Sequence, residues 1–238
     1  MVLTAVILLA VGAVMIGATF TPLFEARRIG VSGAGQVTRE RILGLAGVEG
    51  ANVAHLDTTA VERALEADPW IARATVGREV PSTIEVSIAE RSPVAGIGDE
   101  TGRVVAADGT ELPGADPTGL PVIDVLTATD VQTAAAVLGA IPESTLEKVE
   151  RVTADVDGSL ALQIRGGIVA SYGPAEELVA KGAALAAVLR WLESEGTSSS
   201  AIDVSTPTAP TAVLGARSTS RDVTRVSTTG GGQVPGNA

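Results

Sequence analysis

The sequence contains no cysteine, one histidine and few aromatic residues, and each scarcity excludes a class of function. Its 238 residues include two Trp, one Tyr and two Phe. Without cysteine the chain cannot form disulfides, zinc ribbons, thiolate-ligated iron–sulfur clusters or a Cys nucleophile. The single histidine, His55, excludes metal sites built on two histidines and leaves one imidazole for a Ser/His/Asp system. So few aromatic rings also argue against a platform on which nucleic-acid bases stack.

The net charge of −11 argues against a nucleic-acid partner as well, because such a protein needs a basic surface. The charge divides the chain into four segments. Residues 1–24 carry no charged side chain, and residues 25–95 are close to neutral. Residues 96–216 hold 17 acidic and 6 basic residues, whereas residues 217–238 are weakly basic. Binding, scaffolding or a carboxylate-based activity remain as functions.

The uncharged run 1–24 predicts a transmembrane helix, since about 20 apolar residues span a bilayer. A cleaved signal peptide and a buried core helix are the alternatives, but a basic region before the apolar run is missing. Arg27 and Arg28 follow the run, and nothing basic precedes it except the terminal amine. Taken literally, the positive-inside rule therefore places residues 25–238 in the cytoplasm. Long domains translocate regardless of such charges, so we expect a cytoplasmic N-terminus and an extracytoplasmic remainder. The chain begins inside the apolar run, as if a basic cytoplasmic tail preceded it.

Residues 25–95 show a β-α-α-β-β pattern. Thr38 is a candidate N-cap for the first helix, and Gly47 ends it. One of Asp57, Thr58 and Thr59 caps the second, and Thr59 with Glu62 fits a capping box. Strict alternation of apolar and polar residues predicts the last strand. The predicted strands are 28–32, 70–79 and 83–90.

Residues 96–215 predict a mixed, β-rich domain with one long helix. Strong turns at Asp108-Gly109 and Asp157-Gly158 separate short strands. Pro174, Glu176 and Glu177 suit the start of the long helix, predicted over 174–195. Residues 216–238 are rich in Ser, Thr and Gly and predict a disordered tail. The fold class is therefore α+β, with a membrane helix, two small domains and a tail.

A long, ordered motif in the second segment resembles the POTRA domain of the bacterial FtsQ/DivIB cell-division family. The family pattern runs "PW-V-x-x-A-x-V-x-R-x-x-P-x-T-L-x-I-x-V-x-E-R-x-P", with Ile71 and Ile84 here as mild departures. Later segments, including Gly167–Gly173 and Ile202–Ser205, resemble the family's C-terminal part. The motif residues singled out are Pro69, Trp70, Arg78, Pro81, Glu90 and Arg91.

The resemblance implies a single-pass membrane protein at the division septum, without enzymatic activity or cofactor. It implies that the protein binds the small membrane proteins FtsB (DivIC) and FtsL and acts as a scaffold between early and late division proteins. It implies no small-molecule substrate. Without the resemblance, Trp70 is equally well explained as a residue that packs in the core. Arg78, Glu90 and Arg91 are then exposed charged residues on a strand face, which contribute little to the free energy of folding.

The implied binding mode is addition of a partner strand at the C-terminal edge of the second domain. In this sequence the edge corresponds to residues 202–214. Pro207 and Pro210 lack N–H donors, so they either shorten the binding strand or protect the edge from unwanted partners. The candidate partner-binding residues are Ile202, Val204, Thr206, Thr208 and Leu214.

Two alternatives from other functional classes remain open at this stage. One is a membrane-anchored envelope hydrolase that uses Asp155 and Asp157, although turn formation explains these residues too. The other is a POTRA module that acts as a chaperone for secreted chains. The sequence contains no nucleotide-binding loop, nucleophile elbow or zinc-protease motif.

Overall fold

The computed structural model describes residues 2–98, 102–125, 127–155 and 158–214. Within these ranges the chain forms six α-helices and eleven β-strands, arranged in two sheets. The predicted tail and Asp157 lie outside the described residues. The predicted α+β class is confirmed.

Helix α1 covers Val2–Ala18, and a short 3-10 helix follows at Pro22–Phe24. In the part of the chain that the structure describes, no helix combines the length and apolar character needed to cross a membrane. The predicted span over 1–24 is therefore not confirmed. The segment after α1 contacts the next domain, because the Phe20 and His55 rings stack with centroids 4.4 Å apart.

The first sheet consists of β1 (Arg28–Ser32), β2 (Ile71–Glu79) and β3 (Thr83–Glu90) in the order β1-β3-β2, with β1 parallel to β3 and β2 antiparallel to it. Two helices cover one face and bury a core of aliphatic side chains, which supplies most of the stabilising free energy. The predicted β-α-α-β-β order is confirmed. Its elements are β1 (Arg28–Ser32), α2 (Arg39–Ala46), α3 (Thr58–Glu66), β2 (Ile71–Glu79) and β3 (Thr83–Glu90).

Local capping signals set the ends of these helices. The Thr38 side chain accepts a hydrogen bond from the Arg41 N–H, and Gly47 ends α2 in the left-handed conformation. Asp57 is the N-cap of α3, accepting from the Ala60 N–H at 3.0 Å. The predicted capping box of Thr59 with Glu62 is wrong, because the Glu62 carboxylate accepts instead from the N–H of Val76 on β2.

The second sheet has eight strands in the order β11-β10-β9-β8-β7-β6-β4-β5. Alternation along β8 (Leu160–Ile164) and β9 (Ile168–Gly173) buries one face of the sheet under α4 (Ala128–Ala140) and α6 (Leu178–Glu195) and leaves the other face of these strands open. The predicted domain boundary at 95/96 falls inside β4, all of which belongs to this sheet. The strands are β4 (Pro93–Ile97), β5 (Val104–Ala106), β6 (Val122–Asp124), β7 (Val149–Ala154), β8 (Leu160–Ile164), β9 (Ile168–Gly173), β10 (Ser199–Asp203) and β11 (Thr211–Leu214).

Three helices accompany this sheet: α4 (Ala128–Ala140), the short α5 (Glu143–Leu146) and α6 (Leu178–Glu195). The long helix begins at Leu178 and not at Pro174 as predicted. The carbonyl of Pro174 accepts from the buried Lys181 ammonium at 2.8 Å, and Glu177 adopts a left-handed conformation, so regular helix begins only after Glu177. Gly182 lets α6 approach α4, since a Cβ there would lie 2.6 Å from the Ala140 carbonyl oxygen.

Candidate partner-binding surface

Two of the motif residues on the first sheet hold loops in place. The Glu90 carboxylate accepts from the N–H groups of Gly35, Gln36 and Val37 at 2.8–2.9 Å, which shapes the loop before α2. Burial raises the pKa of Glu90, but these three hydrogen bonds outweigh it and leave the pKa below its usual value. Arg78 donates to the carbonyls of Ala54 and Leu56 in the loop before α3. Both side chains therefore hold the backbone of a neighbouring loop in place, which goes beyond the role of a charge on the surface.

The two sheets meet at a junction formed by other motif residues. The Arg91 guanidinium donates through Nη1 to the carbonyls of Pro69 (3.1 Å) and Ile71 (2.7 Å), and through Nε to Asp108 (2.7 Å). The Trp70 indole packs against the first core and donates to the Pro113 carbonyl across the junction at 3.1 Å. We call Trp70, Arg91, Asp108 and Pro113 the interdomain latch.

The remaining motif prolines lie at chain reversals. Pro69 precedes β2, and Pro81 occupies the turn between β2 and β3. At the junction, burial raises the pKa of Asp108, but the hydrogen bond from Arg91 and others from Thr110 bring it below its usual value. The sequence singled out the turn at Asp108 but did not indicate its partner, because the contact joins two domains.

The predicted partner-binding residues fall into three environments. The side chains of Ile202 and Val204 are buried in the second core, and β10 is flanked on both sides by β9 and β11. Thr206 and Thr208 are exposed in the turn after β10. Leu214 lies on β11 and is 50% exposed. The predicted single edge over 202–214 is therefore two strands, because the turn that contains Pro207 and Pro210 folds β11 back onto β10.

The hydrogen-bonding direction of β11 follows from its neighbours. The Val204 N–H, just after β10, donates to the carbonyl of Ser171 in β9. The alternate residues Ala201 and Asp203 of β10 therefore direct their backbone groups toward β11. Their partners are Val213 and Thr211. The N–H and C=O groups of Ala212 and Leu214 consequently point away from the sheet.

The opposite edge of the same sheet is covered. The N–H of Ala106 donates to the Thr110 carbonyl at 2.9 Å, and the N–H of Leu112 donates to the Val104 carbonyl at 2.8 Å. This backbone segment pairs along β5 and occupies its outer groups. Among the described residues of this sheet, β11 is therefore the edge that can receive another strand.

An apolar strip lies beside the β11 edge on the open face of the sheet. Val213, Ala201 and Val169 are aligned across β11, β10 and β9 by the strand register. Val213 is 61% exposed and Val169 is 43% exposed. The strip extends the backbone edge into a surface on which the apolar side chains of a bound segment could pack.

Buried polar groups fix the strands next to this edge. The Tyr172 hydroxyl donates to the Leu178 carbonyl at 2.7 Å, and the Lys181 ammonium lies 5.7 Å from the ring centroid. Burial raises the pKa of Tyr172 to about 12. Asp203 receives hydrogen bonds from Ser205, and these lower its pKa. Within the described residues, acidic and histidine side chains form no group that could hold a metal ion.

Comparison with known proteins places this architecture in a family. The family model "POTRA domain, FtsQ-type" matches residues 24–91, the three-stranded unit with its two helices. The protein named Cell division protein FtsQ from Mycobacteroides abscessus is 33% identical over 79% of this chain and 63% of its own length. Its namesake from Mycolicibacterium smegmatis is 34% identical over 81% of this chain and 58% of its own.

The FtsQ of Corynebacterium glutamicum is 27% identical, with 79% of this chain and 89% of that protein aligned. The chain thus spans about three fifths of the two mycobacterial relatives and most of the corynebacterial one. The aligned stretch, about four fifths of this chain, is longer than the POTRA unit at residues 24–91. On this evidence residues 24–91 form a POTRA domain of the FtsQ type, and most of the chain is similar to bacterial cell-division proteins named FtsQ.

Proposed function

We propose that this protein is a non-enzymatic scaffold of the division machinery that binds membrane proteins of the FtsB/DivIC and FtsL type. Its relatives carry the name of a division protein, which supports a role in that process. The observation that carries the binding proposal is the β11 edge. There, two residues direct backbone groups outward beside an apolar strip, and no hydrogen-bond partner for these groups is found among the described residues up to 214.

A partner segment in extended conformation adds to β11 as a further strand. The outward N–H and C=O groups of Ala212 and Leu214 form the ladder, and main-chain hydrogen bonds of this kind supply affinity. Pro210 directly precedes β11 and offers a carbonyl but no N–H, so it limits the ladder at that end. Side chains of the partner that face the strip of Val213, Ala201 and Val169 supply specificity.

Residues 1–24 attach the protein to the cell membrane, and residues 25–238 lie outside it at the septum. The absence of charge in this segment supports the attachment. Protease treatment of intact spheroplasts tests the orientation. We expect digestion of the domains after residue 25, whereas protection until the cells are lysed would contradict it.

A fluorescent fusion imaged in dividing cells, combined with depletion of the protein, tests the scaffold role. We expect a band of fluorescence at midcell and filamentous cells after depletion. Diffuse peripheral fluorescence with normal septation would contradict the proposal.

Two substitutions at one position test the binding mode. Ala212→Pro removes an N–H that points away from β10, so β11 should keep its pairing while the added strand loses a hydrogen bond. Ala212→Val, the matched control, changes the side chain and keeps the N–H. We expect A212P to reduce co-purification of the FtsB-like partner by at least tenfold and A212V to preserve it. Equal recovery with both variants would exclude strand addition at β11, as would unchanged recovery after introducing charge at Leu214.

A further inference from the structure

The outer edge of β2 in the POTRA sheet is occupied by side chains of α3. The N–H of Ala74 donates to Oε1 of Glu66 at 3.0 Å, and the N–H of Val76 donates to Oε1 of Glu62 at 2.8 Å. Because both amides donate to side chains of α3, they lie on the side of β2 away from β3, where β2 forms the edge of the sheet. Two carboxylates therefore occupy the donors with which another strand would pair.

The match between helix and strand makes this arrangement possible. Glu62 and Glu66 are four residues apart on α3, which separates them by about 6 Å along the helix axis. Ala74 and Val76 are two residues apart on β2, which separates them by about 6.7 Å. Because α3 runs back along β2, the two spacings coincide and each carboxylate reaches one amide.

We infer that Glu62 and Glu66 are an edge lock: they keep the POTRA sheet three-stranded by blocking a strand-pairing edge that is otherwise complete. An incoming strand would have to displace both carboxylates, and its own carbonyl oxygens would approach negative charge. At the other edge of the sheet the Arg39 guanidinium donates to the Ile29 carbonyl of β1. The inference concerns the POTRA sheet and stands whether or not β11 binds a partner.

The partner that an unlocked edge fits is β2 of a second copy of this chain. Two β2 strands related by a two-fold axis would pair antiparallel, and each would present the same donors and acceptors to the other. The pairing would continue one sheet into the next, as happens at unprotected edges.

The test compares the full chain with E62A/E66A and with E62Q/E66Q, in which amide oxygens still accept the hydrogen bonds. We expect wild type and the glutamine variant to sediment as monomers, with slow hydrogen exchange at the Ala74 and Val76 amides. The alanine variant should sediment as a concentration-dependent dimer with β2 at the interface, located by a disulfide between copies of Thr75→Cys. A folded alanine variant that remains monomeric would overturn the inference.

Single substitutions test whether each carboxylate protects its amide if the double alanine variant does not fold. E62A should accelerate exchange of the Val76 amide at least tenfold and leave Ala74 unchanged, and E66A should do the converse. Equal exchange of both amides in wild type and both single variants would show that the carboxylates do not occupy the edge and would overturn the lock.

Discussion

The Nε atom of Arg91 lies 2.7 Å from Oδ2 of Asp108, and this contact joins the POTRA domain to the eight-stranded sheet. The same guanidinium donates to two carbonyls of its own domain, so its orientation is set before it reaches Asp108. Trp70 adds a second bond across the junction through Pro113. The latch therefore consists of an ion pair and a neutral hydrogen bond between the POTRA domain and the second sheet.

Removing the latch should loosen the domains more than it destabilises them. Spin labels at Glu40→Cys and Ala187→Cys report the distance between α2 and α6, and the absence of native cysteine makes the labelling specific. We expect one narrow distance distribution in the parent and a broad one in R91A. Equal widths in the two proteins would contradict the latch.

The latch residues should differ in their effect on the free energy of unfolding. Arg91→Ala leaves two carbonyls without their donor and should cost about 1–3 kcal/mol. Asp108→Asn removes an ion pair that is partly exposed, which is worth less than about 1 kcal/mol. Urea unfolding of both variants measures the order, and a larger loss for the Asp108 variant would be inconsistent with these contacts.

Glu90 should make stability depend on pH in acid. Its pKa in the folded protein lies below the ordinary 4.5, so folding favours the carboxylate over the protonated form. The stabilisation is present above pH 4.5 and disappears as the pH falls through the folded pKa. The difference in unfolding free energy between wild type and E90Q should be largest near neutral pH and shrink below pH 4.5. A difference that is constant with pH would contradict the assignment.

Tyr172 should titrate as a single buried phenol. It is the sole tyrosine of the sequence, so tyrosinate absorbance near 295 nm reports one residue. The midpoint in the folded protein should be about 12, against 10.0 for the ordinary side chain. Since folding favours the neutral phenol, stability should fall as the pH rises from 10 toward 12. A midpoint near 10 under folded conditions would show that the hydroxyl is not buried.

Two helical glycines should respond to alanine with opposite signs. At Gly44 of α2 a Cβ would meet no atom within 4 Å, so G44A should stabilise by about 0.5–1 kcal/mol through helix propensity. At Gly182 a Cβ would lie 2.6 Å from the Ala140 carbonyl, and G182A should destabilise by about 1–3 kcal/mol because the two helices must separate. Stabilisation by both substitutions would contradict the close helix crossing.

Features determined by nearby residues could be predicted from the sequence. Thr38 and Gly47 mark the ends of α2 through contacts within one turn, and the alternation around Val86 gives β3 its boundaries and its buried face. The family motif also includes Trp70 and Arg91, although it does not indicate their partners across the junction. In each of these cases the deciding interaction is close in sequence or is imposed by periodicity.

The predictions from sequence were wrong where a side chain or carbonyl binds a partner other than the one that its local spacing indicates. Glu62 suits a capping box by its spacing from Thr59, yet its carboxylate binds a strand amide 14 residues further on. Pro174 suits the first turn of a helix, but its carbonyl is taken by the Lys181 ammonium. The predicted edge over 202–214 divides into an inner strand with Ile202 and an outer strand with Ala212, because β11 pairs back onto β10 and sequence periodicity does not specify which strand is outermost.

Hydrogen exchange of the β11 amides, measured with and without a saturating FtsB-like partner, tests the central claim most directly. The Ala212 amide points away from β10, so we expect rapid exchange in the free protein and at least tenfold slower exchange in the complex. The Val213 amide, which already pairs with β10, serves as the internal control and should change far less. Saturated binding with unchanged exchange at Ala212 would show that the partner binds elsewhere and would contradict strand addition at β11.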